Sequence, residues 1–152
     1  HESVQPHGDL DNLTPDEIIE IVKEAGIVGM GGAGFPTCVK LKPAKPVDTI
    51  LLNGCECEPY LTADHKVLLE FADDIIFGLK AILKTTGAEK GIIVIEDNKQ
   101  DAIELPELAI QSENLRTAAN QNHWFLLLPE SQLIIQILSC RRFPTCILII
   151  CF

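Results

Sequence analysis

The sequence predicts an α/β fold, a parallel sheet flanked by helices, on three observations. Two short apolar runs, Asp48–Asn53 and Gly91–Ile95, have the length and character of buried strands. Between them apolar residues recur at helical spacing, so 48–95 reads as strand, helix, strand, with a right-handed parallel crossover expected. Both strands run directly into polar clusters, Asn53–Tyr60 and Glu96–Asn98, in the position where open α/β sheets present ligand-binding residues.

Taken in order, residues 1–13 mix His, Pro, Gly, Asp and Asn without periodicity and read as an irregular lead-in. A helix then starts at Thr14. This residue is a good N-cap, Pro15 suits the first helical position, Glu17 completes a capping box, and Asp16 complements the helix dipole. Ile18, Ile19, Val22 and Ala25 form its apolar stripe, and Gly26 is placed to end it. Pro43 and Pro46 break any helix begun near Thr37. After the first strand, Thr62 and Asp64 are candidate caps for a helix over 63–70. A second helix over 72–86 carries Ile75, Ile76, Leu79, Ile82 and Leu83 and closes at Gly87. A further helix is expected near Lys99, with Pro106 interrupting it.

Beyond about Asn114 the residue usage changes. Every lysine lies at or before Lys99 and every arginine at or after Arg116, and no glycine follows Gly91. The expected division is therefore a lead-in at 1–13, a domain at 14–114, and an atypical hydrophobic tail at 115–152 that is not native to it. A hydrophobic closing segment is the other reading. The apolar runs of the tail are shorter than the roughly 20 residues of a membrane span.

A chain of 152 residues with 47% hydrophobic content can bury one core. Its net charge of -10 argues against a nucleic-acid or anionic-membrane surface. One window departs from the average. No acidic residue lies between Glu24 and Asp48, whereas Lys40, Lys42 and Lys45 do, an environment suited to an anion, with a plain solvated face as the other reading. The six cysteines match neither zinc-ribbon nor tight ferredoxin spacing, so no metal site is assigned. No secretory leader is recognised.

The glycine run Gly29-Met30-Gly31-Gly32-Ala33-Gly34 lies inside that window, and such runs allow a backbone to approach a ligand closely. It spells G-x-G-x-x-G, but a dinucleotide fingerprint must follow a strand, and here a capped helix precedes it. The second cluster, Asn53-Gly54-Cys55-Glu56-Cys57-Glu58-Pro59-Tyr60, offers two carboxylates expected to point the same way and an amide. An ordinary polar turn would look similar. His65 reads as a surface or capping residue.

Together the two motifs resemble a known family. Gly26 to Thr37 with Val39-Lys40-Leu41, then Asn53-Gly54 and Glu56 to His65, are similar to the C subunit of the Rnf electron-transport complex. That protein shares its flavin domain with the NADH-oxidising subunit of respiratory complex I. The resemblance runs from about Leu13 to Ala109. It implies a partial Rossmann-like domain that holds FMN and receives NADH. By position, Gly29, Gly31, Gly32 and Gly34 would bring backbone amides to the flavin and Lys40 would meet its phosphate. Asn53 and Glu56 would also hold the flavin, Phe35 and Glu58 would lie beside the nicotinamide nucleotide, and Pro36 would stiffen the turn.

The resemblance also implies hydride transfer by placement, with no catalytic acid or base. Electrons would pass to iron-sulfur clusters held by cysteine runs that this sequence does not contain. Other subunits would be partners, with ferredoxin met indirectly, and the location would be peripheral, on the cytoplasmic side of a membrane. Cys55 stands where relatives usually carry a small or acidic residue. The chain therefore reads as a fragment with an incomplete parallel sheet and an unpaired edge. The competing reading is a non-catalytic module that binds a phosphate ligand or a partner's acidic segment.

Overall fold

The structure, a computed structural model, describes residues 8–29, 34–56, 62–96 and 98–105 in full, and the backbone of strands at 115–120, 137–139 and 146–151. Among the described residues five strands form one sheet: β1 (Thr49–Gly54), β2 (Lys90–Glu96), β3 (Leu115–Asn120), β4 (Ile137–Ser139) and β5 (Cys146–Cys151), in the order β3-β2-β1-β5-β4. β1 is central and pairs in parallel on both sides, Leu52 facing Ile93 of β2 and Ile150 of β5. β3 continues the parallel set beyond β2, and β4 alone is antiparallel, against β5. The two strands read from sequence fall within one residue of 48–53 and 91–95. The segment set apart as a tail contributes the other three.

Parallel neighbours need a crossover, and helices supply it between β1 and β2: α3 (Ala63–Glu70) and α4 (Ala72–Thr86). Strand alternation explains which residues they cover. Ile50 and Leu52 of β1 and Ile93 and Ile95 of β2 share one face, where they meet Leu68 of α3 and Ala72, Ile76 and Leu79 of α4. Ile50, Leu68 and Ile95 are fully buried, and Ala102 of the short α5 (Gln100–Ile103) closes the same core.

The helix α1 (Pro15–Glu24) packs on α4 and on the single turn α2 (Thr37–Lys40), burying Ile18 and Ile19. Its capping box forms as read: the Thr14 hydroxyl accepts the Glu17 N–H, and the Glu17 carboxylate accepts the Thr14 N–H at 2.7 Å. At its far end Gly26, at φ +65°, makes a Schellman turn, with Gly26 N–H on Lys23 O and Ile27 N–H on Val22 O. That turn aims the chain into the glycine run.

One capping expectation is corrected. Thr62 precedes α3, but its side chain makes no cap hydrogen bond. The Glu56 carboxylate does so instead, its Oε1 accepting the Asp64 N–H at 2.8 Å. Thr62, with ψ 26°, has left the extended backbone from which a cap side chain turns back onto the helix.

Candidate functional site

Two groups of residues lie in the positions the sequence singles out. In the first, the flanks of the glycine run pair antiparallel: Val28 bridges Pro36, Gly29 N–H donates to Phe35 O at 3.0 Å, and Thr37 N–H donates to Ile27 O at 3.0 Å. The run is thus framed by paired extended segments after a helix, which is why its spelling does not make a dinucleotide fingerprint. Gly29 is buried. Gly34 adopts φ +63°, a conformation that penalises any side chain. Gly31 and Gly32 lie outside the described residues.

Pro36 leads directly into α2, whose last residue is Lys40, so the loop and the lysine are fixed to one another by chain geometry. The Lys40 Nζ lies 5.9 Å from the centroid of the Phe35 ring, within the range of a cation–π attraction. It is buried and, among the described residues, has no hydrogen-bond partner. Burial holds the Lys40 ammonium below the usual lysine range. Along the segments that flank the glycine run and lead to Lys40, Ile27, Val28, Phe35 and Val39 expose large apolar side chains, Phe35 at 53%. A desolvated cation beside an exposed aromatic ring can take an anionic group and a planar one together.

The second group stands past the carboxyl end of β1. Asn53 Oδ1 accepts the Cys55 N–H at 3.2 Å, an Asx-type bend that turns the chain out of the strand, and the Cys55 thiol approaches Val94 O at 3.8 Å. Glu56 follows with its side chain only 7% exposed. Its Oε1 is taken by α3; its Oε2 is buried without a hydrogen bond among the described residues, and Lys99 Nζ lies 3.7 Å away. Burial, and then the negative charge of Glu56, push the Asp64 carboxyl above its ordinary range. Glu58 lies outside the described residues.

Sequence reasoning missed Lys99 and Asp101. His65, read as a surface or capping residue, bonds Asp101 through Nε2 at 2.9 Å and so ties α3 to α5. The signal was present in the parallel pairing: the loop after β2 must end beside the loop after β1, which brings Lys99 toward Glu56.

An α/β sheet with polar groups gathered past its central strand presents them where open α/β domains place ligand-binding residues, and a glycine loop joined to a lysine whose Nζ is buried without a hydrogen-bond partner among the described residues suits a phosphate-bearing ligand. The chain belongs to the Nuo51 FMN-binding domain family, whose profile matches residues 22–145. It is 51% identical over 114 residues to the C subunit of the Na(+)-translocating ferredoxin:NAD(+) oxidoreductase complex of Acetobacterium woodii, covering 74% of this chain and 26% of that protein. With the C subunit of the proton-translocating ferredoxin:NAD(+) oxidoreductase complex of Clostridium ljungdahlii it shares 41% identity over 137 residues, 88% of this chain and 29% of the other. The C subunit of the ion-translocating oxidoreductase complex of Haemophilus influenzae is 42% identical over 110 residues, 72% of this chain and 16% of that protein.

Among solved structures, an NAD+-reducing NiFe hydrogenase in the air-oxidized state matches with a TM-score of 0.58 at 26% identity, covering 75% of this chain and 25% of that one. The chain thus spans about a quarter of the length of the first two of these relatives. No helix among the described residues is long and apolar enough to cross a membrane.

Proposed function

We propose that this chain is the FMN-holding, NADH-facing part of a larger electron-transfer subunit of the Rnf type. The observation that carries the reading is the Lys40 ammonium, buried and without a hydrogen-bond partner among the described residues, in a family whose domain binds FMN. A desolvated cation is costly until an anion meets it, and the phosphate of FMN is such an anion. Glu56 Oε2 accepts no hydrogen bond among the described residues, and the flavin ring and its ribityl chain carry donors. The two groups therefore fit the two kinds of polar group that FMN presents.

In this reading Gly29, Gly31, Gly32 and Gly34 let the backbone approach the flavin, Lys40 neutralises its phosphate, and Asn53 and Glu56 hold the remainder. Phe35 and Glu58 receive the nucleotide, the ring by stacking and the carboxylate by accepting ribose hydroxyls. When bound, FMN supplies acceptance of a hydride and release of its two electrons singly. The protein contributes placement and exclusion of water, and no side chain acts as acid or base. NADH, neighbouring subunits of a membrane complex and, indirectly, ferredoxin are the partners, with the chain peripheral on the cytoplasmic side. Iron-sulfur clusters belong to other parts of the subunit. The division at residues 13 and 114 is part of the same proposal.

Titrating the purified chain with FMN and with riboflavin, followed by flavin fluorescence, tests the reading. Saturable binding that prefers FMN is expected, and Lys40→Ala should weaken FMN about 10- to 100-fold while leaving riboflavin little changed. Equal losses would remove Lys40 from the phosphate site. A folded chain that binds neither flavin would favour the non-catalytic phosphate- or partner-binding module.

A further inference from the structure

We propose that Lys99 is a positioning residue for Glu56: it balances the charge of this buried carboxylate while leaving one oxygen open to a hydrogen-bond donor on the flavin. The inference rests on the FMN reading above. A carboxylate buried to this degree needs compensation for the water it has lost. Its two oxygens obtain it differently. Oε1 accepts the Asp64 N–H at 2.8 Å, a charge-assisted bond at the start of α3. Oε2 faces Lys99 Nζ at 3.7 Å, inside ion-pair range and beyond hydrogen-bond length. The ammonium thus supplies charge without occupying the lone pairs of that oxygen.

Lys99 is itself held. Its N–H donates to Glu96 O and its carbonyl accepts the N–H groups of Ala102 and Ile103, all at 3.1 Å, which fixes it as the residue from which α5 begins. The His65–Asp101 bond fastens α5 to α3, the helix that holds the other oxygen of Glu56. Glu56 is therefore gripped from two elements that are also joined to each other. With the Asp64 carboxyl beside it, this end of the site is acidic, so Lys99 is already committed and a phosphate finds no favourable place here. A neutral donor, the ring imide N–H or a ribityl hydroxyl, does. Lys40, in the other group, remains the cation for the phosphate.

The test compares Lys99→Met, which keeps the apolar stem and removes the charge, with Lys99→Arg, which restores a cation. Because Glu56 would meet a part common to both flavins, Lys99→Met should weaken FMN and riboflavin by the same factor, about tenfold, and Lys99→Arg should recover most of it. Unchanged binding in Lys99→Met overturns the role of Lys99 alone. A loss confined to FMN overturns it in favour of a phosphate ligand, and equal losses in both variants overturn it in favour of a structural role. A wild-type chain that binds no flavin overturns the FMN reading. A second measurement needs no flavin: amide exchange at Asp64 should be about tenfold faster in Lys99→Met and return toward wild type in Lys99→Arg, because the Glu56 acceptor is less firmly held. Unaltered exchange overturns the grip of Lys99 on Glu56.

Discussion

In the proposed reading, Lys40 sets function against stability. Its folded-state pKa is depressed by burial, so its charge opposes folding until the pH approaches the ordinary lysine value, where the ammonium is lost in the unfolded chain as well. Lys40→Met should therefore make the ligand-free protein more resistant to urea at neutral pH. The advantage should shrink as pH rises toward about 10, and excess FMN should reverse it. Urea melts across that range, with and without FMN, check the sign; a variant less stable than wild type throughout would show that the ammonium has a partner. This residue was legible from sequence because the acid-free window around it is a property of the chain alone. Lys99 was not, because its meaning comes from a strand pairing that places residues 43 positions apart (99 minus 56) in contact. Thr62 was misjudged for a related reason: a local cap was expected, and a side chain from the preceding loop takes its place.

Among the elements, the glycines separate into those a turn requires and those it does not. Gly34, at φ +63° beside the paired segments, should cost about 1 kcal/mol when changed to alanine, although the space around it is open. Gly78, inside α4 with open space where a Cβ would stand, should gain about 0.5 to 1 kcal/mol from the same change through helix propensity. Denaturant midpoints of the two variants should move in opposite directions.

The tie between α3 and α5 carries a pH signature. The His65 hydrogen bond holds the Asp101 carboxyl below its ordinary range, so its contribution is present above the unfolded aspartate value and is lost as pH falls through the lower folded one. Asp101→Asn should lower the melting temperature slightly near neutral pH and leave it unchanged in strong acid. α1 was readable because cap, stripe and closing glycine agree with one another, and α4 because its apolar stripe runs unbroken to a closing glycine. The link through His65 was not, since no spacing rule joins residues on separate helices.

For the molecule as a whole, the core depends on the α3/α4 layer over β1 and β2. Leu79, 1% exposed among Ile76, Ile93 and their neighbours, should cost about 3 kcal/mol on truncation to alanine, read from urea denaturation. The strand-helix-strand unit was visible because a parallel pair demands a crossover and the apolar runs mark it out. The sheet order was not, because two apolar runs do not say which side of β1 a later strand will join, and the changed residue usage after Asn114 directed attention away from pairing.

That order governs how the chain comes to be folded. One edge of β1 is matched as soon as Lys90–Glu96 exists, while the other waits for Cys146–Cys151, the last of the five strands to leave a ribosome. Until then a nascent chain carries the backbone donors and acceptors of a central strand with nothing opposite them, a template for any other extended chain nearby. Synthesis at about 5 to 20 residues per second makes that interval several seconds long.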